Sequence, residues 1–102
     1  MEARILGPLE FTLGVLAARP RRAREILELA ERYGRGRNGP LVTGQRVQAT
    51  LRMLAQAGVL DEARDGKLHL KLEALHPAYQ AIALSAVKTI AVELGGVASD
   101  DR

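Results

Sequence analysis

The feature that most restricts the fold is a change of hydrophobic period at Gly58. Upstream of it apolar residues recur at helical spacing, whereas in residues 59–72 they alternate, with Leu68, Leu70 and Leu72 separated by His69 and Lys71. In the middle of the alternating stretch stands Arg64-Asp65-Gly66-Lys67. Asp-Gly between two strand-like runs is a strong hairpin signal, because glycine adopts the backbone angles of such a turn without steric cost. The chain is therefore expected to hold one two-stranded hairpin, with Leu68, Leu70 and Leu72 toward the core and His69, Lys71 and Glu73 outward. Helices must account for the rest.

The helix before the hairpin has both of its ends marked. Thr43 is a good N-cap, since its hydroxyl can accept from an otherwise unpaired N–H of the first turn, and Gly58 is a good left-handed stop. Between them Val47, Leu51 and Leu54 share one stripe, while Gln45, Ala49, Arg52 and Gln56 share the opposite one, flanked by Arg46 and Met53. The outward face carries Gln and Arg but no carboxylate. That polarity suits base reading, because Arg forks onto guanine and Gln onto adenine while Asp or Glu would repel phosphate. A solvated surface helix has a similar composition, since Arg and Gln are also good helix formers.

Two helices are expected upstream. Pro8 suits a first helical turn, and Leu9, Leu13, Leu16 and Ala17 then follow at helical spacing up to Ala18. Arg19-Pro20 breaks that run, because proline disfavours helical geometry in the residue before it. Residues 21–33 form the second helix, with Ile26, Leu27, Leu29, Ala30 and Tyr33 inward. Its first turn would carry Arg21, Arg22 and Arg24, where the helix dipole is already positive; a docked phosphate would relieve that conflict and water would dilute it. Residues 34–40 are a glycine-rich loop bearing Arg35 and Arg37, without the Lys and Ser or Thr of a nucleotide-binding phosphate loop. It suits either a nucleic-acid backbone or a plain connector.

After the hairpin, residues 77–94 form the longest helix. Tyr79, Ile82, Ala83, Ala86, Val87, Ile90, Ala91 and Leu94 make a broad stripe, and Leu84 and Val92 add apolar surface elsewhere. This exceeds what one packed face needs, so the helix is expected to pair with its copy in a homodimer. Gly95-Gly96 ends it, ahead of a disordered tail.

Composition removes several alternatives. With 102 residues the chain supports a single small core, and one Phe, two Tyr and no Trp leave no aromatic platform for stacked bases. No cysteine is present and only two histidines, His69 and His76, so neither a metal site, a cofactor nor a catalytic set is legible and an enzyme is not expected. No run of about 20 apolar residues marks a membrane span, and a cytoplasmic protein is expected. Positive charge is concentrated centrally: from Arg19 to Arg46 eight arginines stand against three glutamates. Such a patch is the usual footprint of phosphate binding, although Arg-rich surfaces also arise from base composition.

The order helix-helix-helix-hairpin-helix defines a mainly α chain with a small β hairpin, a winged helix-turn-helix whose third helix enters a major groove. Its divisions are an arm (1–7), the winged domain (8–75), a dimerisation helix (76–96) and the tail (97–102). The run VQATLRMLAQAGVL, residues 47–60, resembles the recognition helix of winged-helix transcription regulators, most of all the PadR family, whose helix ends in Leu-x-x-Leu followed by Gly and two apolar residues. LEFTLGVLAARP, residues 9–20, is similar to that family's first helix. Arg22-Ala23-Arg24 and Val47-Gln48-Ala49 stand where members carry His-Gly-Tyr and Leu-Tyr-Pro, and Glu73 replaces the wing's Thr. The resemblance implies a dimeric binder of double-stranded DNA, generally a repressor.

The expected contacts follow. Thr43, Gln45, Arg46, Gln48, Ala49 and Arg52 face the major groove; Arg64 and Lys67 on the wing face phosphates or the minor groove; and Arg21, Arg22, Arg24, Arg35 and Arg37 face the backbone. Tyr79, Ile82, Ala83, Ala86, Val87, Ile90 and Leu94 form the dimer interface. No small-molecule effector is legible. The other class of function open to such a chain is a protein-interaction module that binds polymerase, another regulator or a chromosome-organising complex.

Overall fold

The computed structural model describes residues 5–36 and 39–93, the side chain of Glu93 excepted. Within them the elements are α1 (Pro8–Ala18), β1 (Arg21–Arg22), α2 (Ala23–Gly34), α3 (Gly44–Gln56), β2 (Leu60–Glu62), β3 (Lys67–Leu70), a 3-10 turn (Leu72–Ala74) and α4 (Pro77–Glu93). The chain is mainly helical, with a small antiparallel sheet of three strands in the order β1-β3-β2.

Everything is packed around α1. Six consecutive residues, Phe11 to Leu16, are buried, so this helix is covered on all sides. Its start is held by the Gly7 N–H, which donates to the Glu10 carboxylate at 2.7 Å. Thr12 stays buried because its hydroxyl donates to the Pro8 carbonyl one turn back, at 2.7 Å. The Phe11 ring meets that of Tyr33 on α2, with centroids 5.2 Å apart. On the other side α4 crosses closely enough that a Cβ on Gly14 would lie 2.8 Å from Ala86 Cβ and 2.7 Å from Ile90 Cδ1. Only glycine permits that crossing.

Four expectations are corrected by this packing. Ala83, Ala86 and Ile90 are fully buried against the chain's own core, so they are not a dimer surface. The broad apolar stripe of α4 is explained mainly by its packing on α1. Leu6 is also fully buried, which makes the supposed arm part of the core at that position. The second helix begins at Ala23, not at residue 21, because Arg21 and Arg22 are taken up as strand β1 and paired with β3, Arg21 opposite Leu68 and Arg22 opposite Lys67. Last, the alternating run stops at Leu70, and Leu72 belongs to the 3-10 turn. Leu94, Gly95, Gly96 and the tail lie outside the described residues, as do Arg37 and Asn38.

The hairpin turns over Ala63, Arg64, Asp65 and Gly66, as the Asp-Gly signal requires. The Gly66 N–H donates to the Ala63 carbonyl at 2.9 Å, and Gly66 has a φ of +84°, a conformation that L side chains rarely adopt. Asp65 closes the tip through its carboxylate, which accepts the Lys67 N–H at 3.0 Å.

Candidate nucleic-acid interface

Helix α3 has the caps expected of it. The Thr43 hydroxyl accepts the Arg46 N–H at 3.2 Å. At the other end the Gly58 N–H donates to the Ala55 carbonyl at 3.1 Å and the Val59 N–H to the Leu54 carbonyl at 3.2 Å, with Gly58 at a φ of +79°. This pair of bonds is the arrangement that ends a helix on a left-handed residue. Val47, Thr50, Leu51 and Leu54 are buried, and the Thr50 hydroxyl is satisfied by the Arg46 carbonyl at 2.9 Å. Gln45, Gln48, Ala49, Arg52, Met53 and Gln56 are exposed. Arg46 is exposed too, but one of its terminal nitrogens donates to the Leu41 carbonyl at 3.4 Å, which directs it back along the preceding loop. Gln45, Gln48, Arg52 and Gln56 are the other exposed polar side chains of the helix.

The arginines of the second segment separate into different roles. Arg21 is only 2% exposed, and its Nε donates to the Val15 carbonyl at 2.9 Å. Burial pushes its pKa down, aided by the nearby Arg19 and partly countered by Glu25. Arg21 therefore supports α1 and does not reach a phosphate. Arg22 is exposed and its Nε donates to the Asp65 carbonyl at 3.1 Å, which ties the start of α2 to the hairpin tip. Its backbone N–H donates to the Glu25 carboxylate at 2.8 Å, and that bond, more than any neighbouring charge, holds the Glu25 pKa below its ordinary value. Because Arg22 stands opposite Lys67 in the sheet, two cations are placed side by side, and the Asp65 carboxylate at the hairpin tip, whose pKa both help to lower, offsets their repulsion. Arg24 in the first turn of α2, Arg64 in the hairpin turn and Arg35 at the end of α2 are all exposed.

A groove of about 360 Å³ lies between α2 and the start of α3, walled by Arg24, Leu27, Glu28 and Glu31 on one side and Gly44, Gln45 and Gln48 on the other. Glu28 and Glu31 line this groove: α3 by itself has a carboxylate-free face, and only the packing of α2 beside it brings acidic groups to its edge. A second groove, of about 200 Å³, is almost wholly apolar and is lined by Leu9, Leu13, Met53, Leu54, Ala57, Val59, Leu75 and Tyr79. Met53 and Tyr79 form its exposed rim, at 50% and 45%. The strand β1 was also missed, since two residues are too few to show an alternation.

Of the two histidines only His76 makes a local structural contact among the described residues. His69 is exposed on β3, and the His76 Nδ1 accepts the Ala78 N–H at 3.1 Å at the start of α4. Nearby, the Gln80 side-chain amide donates to the Leu72 and Leu75 carbonyls, both at 3.0 Å, pinning the 3-10 turn to α4. Among the described residues no three His, Asp or Glu converge as metal ligands, and no helix is long and apolar enough to cross a membrane. No family model, no curated protein and no solved structure matches this chain.

Proposed function

We propose that this chain is a sequence-specific binder of double-stranded DNA, a small transcriptional regulator and most simply a repressor, with α3 as the reading helix and the β2–β3 hairpin as the wing of a winged helix-turn-helix. The observation that carries the reading is the outer face of α3: Gln45, Ala49, Arg52 and Gln56 are exposed along one stripe of a helix capped at both ends and free of carboxylates. A small residue at Ala49 lets that face approach a base edge while Gln45 and Arg52 reach past it. Arg22, Arg24, Arg64 and Lys67 supply the phosphate contacts. The PadR-like pattern of residues 47–60 agrees with this assignment.

The protein acts as a homodimer in this reading, through the part of α4 that the core leaves uncovered. Leu84 and Val92, 54% and 79% exposed, are central to that surface, with Val87 and Ile82 half-buried beside it. The deciding experiment is a fluorescence-anisotropy titration against mixed duplex DNA across a range of salt. Binding whose logarithm falls linearly with the logarithm of salt supports the proposal. Absence of any salt-dependent binding rejects it and favours a protein-interaction module, for which the apolar groove under Met53 and Tyr79 is the specific supporting observation.

A further inference from the structure

We infer that Arg22 serves the proposed DNA interface by position as well as by charge, holding the hairpin tip beside the start of α2; the inference rests on the DNA-binding reading. Its own backbone is fixed twice, at the end of β1 opposite Lys67 and as the N-cap of α2, where its N–H donates to the Glu25 carboxylate at 2.8 Å. From that fixed point the side chain reaches a residue 43 positions away, its Nε donating to the Asp65 carbonyl at 3.1 Å. Among the described residues no other side chain from outside the hairpin hydrogen-bonds to residues 63–66. The remaining bonds of the tip, from the Gly66 N–H to the Ala63 carbonyl and from the Lys67 N–H to the Asp65 carboxylate, lie within the hairpin itself.

A two-stranded hairpin held only by its own bonds is marginal, and a loose tip would have to be ordered each time Arg64 and Lys67 met a phosphate. Ordering costs affinity, so a bond already made in the free protein removes part of that cost. Arginine suits this task and lysine does not. The guanidinium can spend its Nε–H on the carbonyl and keep the N–H groups of its terminal nitrogens for a phosphate, whereas lysine carries a methylene where arginine carries Nε. Arg22 makes no other side-chain hydrogen bond among the described residues. Because the acceptor is a main-chain carbonyl, no substitution at residue 65 deletes the link, and the decisive change is at Arg22 itself. A positional role also predicts where its loss is felt, which is only through the cations of the tip.

The test is Arg22→Lys in the full chain, which keeps the charge and removes the Nε donor. Affinity for a duplex selected from a random pool by the wild type is measured by anisotropy across salt, in the wild-type background and in one without the tip cations, Arg64→Gln with Lys67→Gln. Arg22→Lys is expected to weaken binding about three- to tenfold in the first, with the salt slope unchanged because the same phosphates are met, and by less than about twofold in the second. Amide hydrogen exchange of the free protein should show the Gly66 N–H exchanging faster in Arg22→Lys, with the amides of α1 unchanged. Full affinity in Arg22→Lys, an equal loss in both backgrounds, unchanged exchange at Gly66, or faster exchange throughout the chain overturns the inference while leaving DNA binding intact. If the wild type binds no duplex at any salt, the DNA reading falls and the inference falls with it.

Discussion

Arg21 and Arg22 are neighbours in sequence and opposites in role. One pairs its Nε with the Val15 carbonyl inside the molecule and the other spans to the Asp65 carbonyl at the surface. Arg21→Met should lower the unfolding free energy by about 1.5–3 kcal/mol, the range for a hydrogen bond to a charged group, and leave duplex affinity unchanged once the fold is intact. Urea denaturation alongside anisotropy checks this, and a loss of affinity without a loss of stability would return Arg21 to the interface. At Thr43 the side-chain cap predicts a cost of about 1 kcal/mol for Thr43→Ala, read by thermal or urea unfolding. Glu25 and Asp65 set an acid dependence. Each has its pKa lowered chiefly by a backbone N–H, from Arg22 and Lys67 respectively. A depressed carboxylate contributes stability that is present above its ordinary pKa and is lost as pH falls through the depressed one. The wild type should therefore lose stability on the acid side of the carboxylate range, and Glu25→Gln with Asp65→Asn should flatten that decline when urea midpoints are compared between neutral and acid pH.

At the scale of elements, the α1–α4 crossing and the outward side of α3 make separable demands. Gly14→Ala inserts a methyl group where Ala86 Cβ would be 2.8 Å away, so the helices must part. Overpacking of this kind typically costs about 1–3 kcal/mol, and a calorimetric or urea measurement that finds no loss would show that the crossing is looser than described. On α3, Arg52→Ala should weaken binding to a selected duplex by about 1–3 kcal/mol and relax preference at one base position, as for a bidentate guanine contact. Arg46→Ala should cost less, because Arg46 is already engaged with the Leu41 carbonyl. Anisotropy with single-base variants of the selected duplex distinguishes the two. The caps of α3 and the hairpin tip were legible in sequence because they depend on residues within a few positions of one another: Thr43 with Arg46, Gly58 with Ala55, Asp65 with Lys67.

For the whole molecule the proposal makes a geometric demand, that two copies set their α3 helices about 34 Å apart, one turn of B-DNA. Leu84→Glu should convert a dimer to monomer in sedimentation equilibrium and weaken binding to a two-half-site duplex more than to a single half-site; a wild type that sediments as a monomer when bound removes the α4 interface. The order of the helices, the inward residues of α2 and α3, the caps of α3 and the Asp-Gly hairpin turn were legible in the amino-acid sequence alone. Hydrophobic period, caps and turn angles are local quantities, set by neighbours along the chain. What lay beyond reach was which partner each surface meets. The apolar stripe of α4 reads identically whether α1 or a second copy covers it; the burial of Ala86 and Ile90 was decided by the close approach at Gly14, and that of Ala83 by packing with Leu13, Leu54 and Val59. Arg21 looked like a surface cation until β1 paired with β3 and turned it inward. The carboxylate-free face of α3 was legible as such, but Glu28 and Glu31 reach its edge only through the packing of α2. Charge and burial at such places depend on contacts between residues far apart in sequence, which only the tertiary structure brings together.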